Sequence, residues 1–382
     1  MRQLTLKPVT SRPPAVIAGL TLLAILGFIG VTRLVNRFGE QQKALARHLY
    51  ERAVAEQQAG KPDLAVEHFR DALVYSPDNF EYQLQLARAL RDTGRTEEAE
   101  AYLVSLWERA PQDGAVNLAL GRLAARQKSL DRALQYYHNA IYGVWSSNPD
   151  EHRFQAWFEL IDFLLRQNAR PQAQAELITL AAELPPQPDL WLRVADLFAS
   201  IPDYDRALAE YRQVLKIQHG NPKALAGGGE AAFNLGQFRL AEHYLQEAAA
   251  ANTQDAKVAR LLEVSRLVLT RDPFRGDISM EERNQRLKSI FGDAGERLES
   301  CMASQSGRPP NAPSATSALA PLKTQWDEMK RKLGRLRSSR EAGLPDEVMD
   351  LVLKVEQQTQ SCPPSATDQA LLLLAQNRGR EP

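Results

Sequence analysis

What this 382-residue chain lacks narrows its reading first. It has two cysteines, Cys301 and Cys362, too few for a cysteine-rich zinc module or a disulfide scaffold. No charge of one sign is in excess, because 47 basic side chains stand against 47 acidic ones. A general nucleic-acid binder needs a clear basic surplus, so that class is set aside. No Asn-x-Ser/Thr acceptor occurs, which disfavours a glycosylated secreted protein. Phosphate loops of the Gly-x-x-x-x-Gly-Lys-Ser/Thr type, His-Glu-x-x-His helices and Gly-x-Ser-x-Gly elbows are also missing. The six histidines, His48, His68, His138, His152, His219 and His243, never pair at i,i+3 or i,i+4, so local spacing offers no metal site. The run Gly227-Gly228-Gly229 invites comparison with a phosphate cradle, yet no strand pattern precedes it. Close packing inside a helix is the better explanation. No catalytic residue, cofactor, metal or small-molecule substrate is therefore expected, and function must come from surface.

What the chain does have is a ladder of alanines. Ala65, Ala99, Ala133, Ala173, Ala207 and Ala241 are separated by 34, 34, 40, 34 and 34 residues. Four positions after each stands a bulky side chain: Phe69, Leu103, Tyr137, Leu177, Tyr211 and Leu245. Twelve positions before each stand Ala53, Ala87, Gly121, Ile161, Ala195 and Gly229, all small except Ile161. A small residue at a helix crossing lets two axes approach to about 8–10 Å. The bulky residue four places on shares its helix face and fills the space beside it. Glycines at 60, 94 and 236 fall where a first helix should stop, and Pro77, Pro111 and Pro185 fall after a second. The fifth unit has Pro202 at the first stop, and the third and sixth lack the closing proline. The excess of six residues lies around Tyr142 to Arg153, where Asn148-Pro149 reads as a turn. Its Tyr142 and Trp145 either cover the core or touch a partner.

Over roughly residues 46–255 this period and its Ala-x-x-x-aromatic signature resemble the tetratricopeptide-repeat family. The resemblance implies an all-α fold: a right-handed superhelical solenoid of about six helical hairpins, each leaning on its neighbours. It also implies binding of other proteins or extended peptides in a groove lined by the first helix of each hairpin. Carried over by phase, that groove takes Arg88, Arg91, Arg122, Arg126 and Arg166 at one end. Asp189, Asp196 and Glu230 fall at the other, with Tyr50, Leu84, Leu118, Phe158, Leu192 and Phe233 among the charges. Arginines interleaved with apolar groups suit a peptide bearing a carboxylate. A solvated face with internal Arg–Asp pairs is the alternative. Family members that grip chaperone tails need a Lys and an Asn where this chain has Tyr50 and Val54, which disfavours that role.

Residues 1–14 form a short basic tail with Arg2, Lys7 and Arg12. Ala15 to Thr32 then carries no charge, and the apolar stretch 15–35 approaches the roughly 30 Å of a bilayer core. No small-x-small cleavage site follows between Gly30 and Gly39, and no cysteine stands where a lipoprotein requires one. A single uncleaved transmembrane helix is expected. Arg33, Arg37, Lys43 and Arg47 balance the basic tail, so charge counting leaves the orientation open. The short leader and the cysteine pair favour repeats outside the cytoplasm, in a bacterial periplasm.

The domain plan is thus a tail at 1–14, a span at 15–35 and a solenoid over 40–270. Ala256 to Leu269 would cap the last hairpin, and Asp272-Pro273 would end it. A helix within 271–303 follows, opened by the capping box Ser279-x-x-Glu282. Residues 304–321, rich in Pro, Ser and Ala, read as a linker, and 322–382 as helices of a small bundle. Cys301 and Cys362 each sit near a helix end. A bridge there would close a loop of about 61 residues, worth ~4 kcal/mol in the chain-entropy model; two buried thiols are the alternative. The helix from Leu322 to Arg340 is basic and amphipathic, suited to bundle packing or to anionic headgroups. The whole describes a membrane-anchored scaffold that assists assembly, secretion or folding of envelope proteins. The alternative is a cytoplasm-facing regulator of a membrane-bound polysaccharide or lipid pathway.

Overall fold

The computed structural model describes residues 14–251, 254–306, 315–335 and 343–376. The basic tail up to residue 13 lies outside that set, as do Arg337 and Arg340. The described elements are seventeen helices, with one isolated bridge between Asp113 and Val144 and no strand among the described residues. They fall into two compact units, Met1–Ala173 and Gln174–Pro382.

The first unit is a stack of hairpins. Helix α1 (Pro14–Gln58) pairs with α2 (Pro62–Tyr75), α3 (Phe80–Asp92) with α4 (Thr96–Arg109), and α5 (Gly114–Arg126) with α6 (Leu130–Ile141). Helix α7 (Pro149–Arg166) packs on α6, and α8 (Arg170–Glu183) carries the chain across the boundary. All six ladder alanines are fully buried, as are the bulky residues four places on. The close approach is visible at Gly121, where an added Cβ would stand 3.2 Å from the Tyr137 ring. Asn79 and Asp113 cap α3 and α5 by accepting the amides of Tyr82 and Val116. The left-handed residue that ends the first helix recurs in every hairpin. Gly60, Gly94 and Gly236 hold it as the sequence suggests; Lys128, Asn168 and Pro202 hold the same phase in the other three.

Two features of this unit depart from the sequence plan. The apolar stretch and the first hairpin helix are one unbroken helix, α1, which is long and apolar enough to cross a membrane by length and composition. The six extra residues do not merely widen a loop. They lengthen α7 to 18 residues, against 13 in α3 and α5. The preceding turn folds back on the start of α5 through Val144 N–H to Gln112 O (2.7 Å) and Gly114 N–H to Val144 O (2.8 Å). Trp145 lies on Gly114, donates to Ala140 O at 2.9 Å and stacks on His152. It covers the core. Tyr142 meets Trp157 edge-on yet stays largely exposed.

In the second unit α9 (Pro188–Ser200) and α10 (Tyr204–Ile217) form one hairpin, and α11 (Pro222–Asn234) and α12 (Phe238–Ala251) the next. The triple glycine lies inside α11, where added Cβ atoms at Gly227 and Gly229 would overlap Tyr211 and Leu245. Its glycines serve close packing. Helix α13 (Ala256–Arg271) covers α12. Four further helices pack against one another: α14 (Met280–Ser306), α15 (Ala315–Arg335), α16 (Leu344–Gln358) and α17 (Ala366–Gln376). The Ser279 hydroxyl accepts the Glu282 amide at 3.1 Å, as a capping box requires. Of the stretch read as linker over 304–321, residues 304–306 and 315–321 are helix, and Pro321 sits within α15. The apolar face of α15 is spent on packing. Leu319, Leu322 and Trp326 are buried, and Trp326 stacks on Phe291 at 3.7 Å where Gly295 makes room.

One buried guanidinium organises this bundle. Arg297 donates to Thr359 Oγ1 (2.7 Å), Thr359 O (3.0 Å) and Asp368 (2.6 Å), and faces Glu356 at 3.0 Å. One turn further along α14, Cys301 is joined to Cys362 by a disulfide with Cα atoms 5.9 Å apart. Asp368 also accepts the Ser365 amide while its own amide donates to Ser365 Oγ, so α17 starts with a reciprocal cap tied to Arg297. Burial raises the Glu356 carboxyl to about 7; Arg297 opposes the shift and Asp368 adds to it.

Two predictions follow from these contacts. Gly227→Ala should lower the melting temperature, because overpacking against Tyr211 costs about 1–3 kcal/mol and outweighs the helix propensity gained. Gly292→Ala, with open space around its Cβ, should raise it; equal signs for the two would contradict the packing. A carboxyl whose pKa is raised on folding stabilises the native state at low pH. Stability of the second unit should therefore decline as pH rises from about 4.5 through about 7. Glu356→Gln should flatten that decline in denaturant titrations across the range.

Candidate functional site

The first helices of the second, third and fourth hairpins carry a row of basic residues. Arg88 and Arg122 follow the small crossing residues Ala87 and Gly121, Arg91 and Arg126 lie in the last turn of α3 and α5, and Arg166 ends α7. Arg91, Arg122, Arg126 and Arg166, with Lys128, line a cleft of about 690 Å³ in the first unit. Asp92, Glu159 and Asp162 supply acid, and Tyr137 and Phe163 supply aromatic surface. The five basic side chains outnumber the three acidic ones, so the cleft is cationic.

The pairing inside it is uneven. Arg122 grips Glu159 with two parallel hydrogen bonds, Nε to Oε2 at 2.7 Å and Nη2 to Oε1 at 2.6 Å. Burial works against the Arg122 charge, but the Glu159 contacts more than offset it and raise its pKa. Arg91 donates to its neighbour Asp92, and Arg126 donates to the Arg91 carbonyl. Arg88 stands just behind this row, and burial, with Arg122 and Arg91 close by, lowers its pKa despite Glu81. Arg88 Nε and Arg91 Nη1 are buried and find no hydrogen-bond partner among the described residues. Burial pushes the Tyr137 hydroxyl up to about 12, with Glu159 adding to the shift, so it stays protonated and able to donate.

The structure brings only part of the expected groove together. Arg91, Arg122, Arg126 and Arg166 share the cleft, and Arg88 adjoins it. Tyr50 stands apart, stacked on Tyr82 at 4.5 Å, with its hydroxyl directed to Glu81 and raised to about 12 by burial and that carboxylate. Phe158 is a correction: only 2% exposed, it is a core side chain of α7 and not a groove residue. Leu84 and Leu118 are buried likewise. Asp196 and Glu230 belong to the second unit, where Asp196 accepts from Tyr211 (2.6 Å) and Glu230 pairs with Lys257 (2.6 Å). The phase argument found the arginines and missed Glu159, Asp162 and Tyr137. Tyr137 was marked only as a packing residue, and Glu159 carries no repeat signature of its own.

Comparison with known proteins gives the repeat its name. Family models described as tetratricopeptide repeat match residues 56–123 and 203–264, and a second such model matches 158–222. Tetratricopeptide repeat protein 9C of Xenopus tropicalis is 33% identical over 91 residues, which are 24% of this chain and 47% of that protein. The match thus spans about half of that relative's length. Among solved structures, Pseudomonas aeruginosa PilF is similar over 57% of this chain and 97% of its own, at 17% identity and a TM-score of 0.40. The C-terminal part of a repeat protein from Cytophaga hutchinsonii is similar over 63% of this chain and 97% of its own, at 14% identity and a TM-score of 0.46. With buried alanines at the family's period and family models matched in both units, residues 56–123 and 158–264 of this chain are tetratricopeptide repeats.

Proposed function

We propose that the first unit is a docking module that captures a carboxylate-bearing segment of a partner protein in the arginine cleft. Helix α1 serves as its membrane anchor, and the repeats act outside the cytoplasm in assembly, secretion or folding of envelope proteins. One observation carries the binding role: a cationic cleft in which Arg91 Nη1, with Arg88 Nε close by, is buried with no hydrogen-bond partner among the described residues. Leaving such a group unpaired costs about 1–3 kcal/mol, which a ligand carboxylate would recover. Arg122 and Glu159 form the preset wall of the cleft; Arg126 and Arg166 offer the charge that a ligand meets first. Tyr137 supplies a neutral donor at the floor.

The location rests on two supports. Helix α1 has the length and composition of a span, and the Cys301–Cys362 bridge suits an oxidising compartment. The rival role, a regulator facing the cytoplasm, keeps its repeats where such a bridge is reduced. A reporter fused after residue 376 separates the two.

A photo-crosslinking amino acid at position 167, inside the cleft, should trap a partner in native membranes. Arg126→Glu combined with Arg166→Glu should abolish the adduct, since each charge-assisted bond lost is worth about 1.5–3 kcal/mol, roughly ten- to hundredfold in affinity. Arg212→Glu, an exposed position in the second unit, should leave it intact. Adducts that survive the double reversal in a folded protein would end the cleft's role.

A further inference from the structure

Because α1 runs unbroken from the apolar stretch into the first hairpin, chain direction decides which edge of the first unit faces a bilayer. The chain arrives from the N-terminal end of α1, turns at residues 59–61, and α2 runs back toward that end. Counting back from the turn at 1.5 Å per residue sets Tyr75 about level with Leu45. Each later hairpin repeats the reversal. The turns at 76–79, 110–113 and 142–148 therefore share the edge nearest the apolar stretch. The turns at 93–95 and 127–129 share the far one with 59–61.

The near edge is a continuous structure. Arg109 on α4 donates back to Asp78 O (3.3 Å), and the Val144 turn is bonded to Gln112 and Gly114. It is also apolar. Beyond α1, the large exposed hydrophobic side chains among the described residues of this unit are Leu64, Val74, Tyr75, Tyr142 and Val144. All but Leu64 stand on the near edge, with Val74 73%, Val144 66% and Tyr142 65% exposed. Charges beside the 142–148 turn are mixed, Asp150 and Glu151 against Arg153, so attraction to anionic lipid is not the basis.

The heights agree. From Val35 to the level of Leu45 is about 15 Å, of which headgroups fill about 5–7 Å. Val144, bonded to Gln112 and Gly114, stands level with the start of α5, so about 8–10 Å remain between the near edge and the headgroups. The ordinary tilt of a spanning helix, about 20°, lowers the 142–148 turn, about 20 Å across the stack from α1, by about 7 Å, which leaves the reach of one side chain.

We infer that this edge is a second membrane contact of the first unit, in which Tyr142 and Val144 enter the headgroup layer of the bilayer that α1 spans. The inference rests on the anchored role of α1 proposed above. Tyrosines with apolar neighbours suit that layer, where an amphipathic ring keeps its hydroxyl wet. Two points of attachment stop the unit swinging about α1 and hold the arginine cleft at one height above the lipid.

The test uses the full chain in phosphatidylcholine vesicles, with an environment-sensitive fluorescent amino acid at position 28, 128 or 144 in turn. At 28 the probe should be quenched by acyl-chain spin labels. At 144 its emission should shift to the blue and be quenched by headgroup spin labels, and at 128 neither should happen. Adding phosphatidylglycerol should change none of this, and quenching at 144 that depended on it would overturn the apolar basis. A probe at 144 behaving like the one at 128, with 28 still quenched, overturns the second contact and leaves the anchor standing. No quenching at 28 removes the anchor and the inference together. A probe at 142 should be quenched by headgroup spin labels like the one at 144; its failure would exclude that pair as the contact.

Discussion

The structure depends on how closely two helices can lie side by side. Each hairpin is two amphipathic rods that are not independently stable, and their stripes are buried only if the backbones approach to about 8–10 Å. One fully buried alanine per hairpin sets that spacing, and a bulky neighbour one turn later fills the flank. Where an even closer approach is required, glycine replaces the small residue, as at Gly121 under Tyr137 and Gly229 under Leu245. Stacking within each unit is a consequence of this rule. Every hairpin leaves a face that only the next can cover, and α13 ends the series by covering α12.

The same packing generates the cleft. On α3 and α5, where the crossing residue is Ala87 or Gly121, long polar side chains near the helix ends reach a shallow trough. Arginine is suited there: its stem packs against the helices while its planar head reaches the trough. Once the heads are half-buried, the energetics change character. A guanidinium at the surface gains little from a nearby carboxylate, whereas one removed from water needs a partner. Arg122 has found Glu159, and Arg297 in the other unit has found Thr359, Asp368 and Glu356. Arg88 Nε and Arg91 Nη1 have found no partner among the described residues, and the proposed binding role rests on those two groups.

Much of the fold was legible. The 34-residue period, the six alanines, the glycine stops at 60, 94 and 236 and the capping box at Ser279 all express local rules that act within a turn or two. Other features escaped because they have no local signature. Lys128, Asn168 and Pro202 take the left-handed position of the missing glycines since the stack needs a reversal there whichever residue is present. The linker composition of 304–321 did not prevent helix from Ala315, because Leu319, Leu322 and Trp326 bury their side chains in the bundle. Phe158 was set in the groove by phase alone, although an aromatic side chain on a lengthened α7 gains more from the core.

The sequence by itself determined the all-α class, the hairpin period, the apolar stretch and the arginine row, because each follows from spacing along the chain. Only the tertiary structure decided which of those arginines meet, that Glu159 answers Arg122, and that Arg297 gathers three elements beside the Cys301–Cys362 bridge. It alone decided too that one helix joins the apolar stretch to the repeats. The reason is physical: burial and charge pairing depend on distances between residues tens of positions apart, and those distances exist only after the helices have stacked.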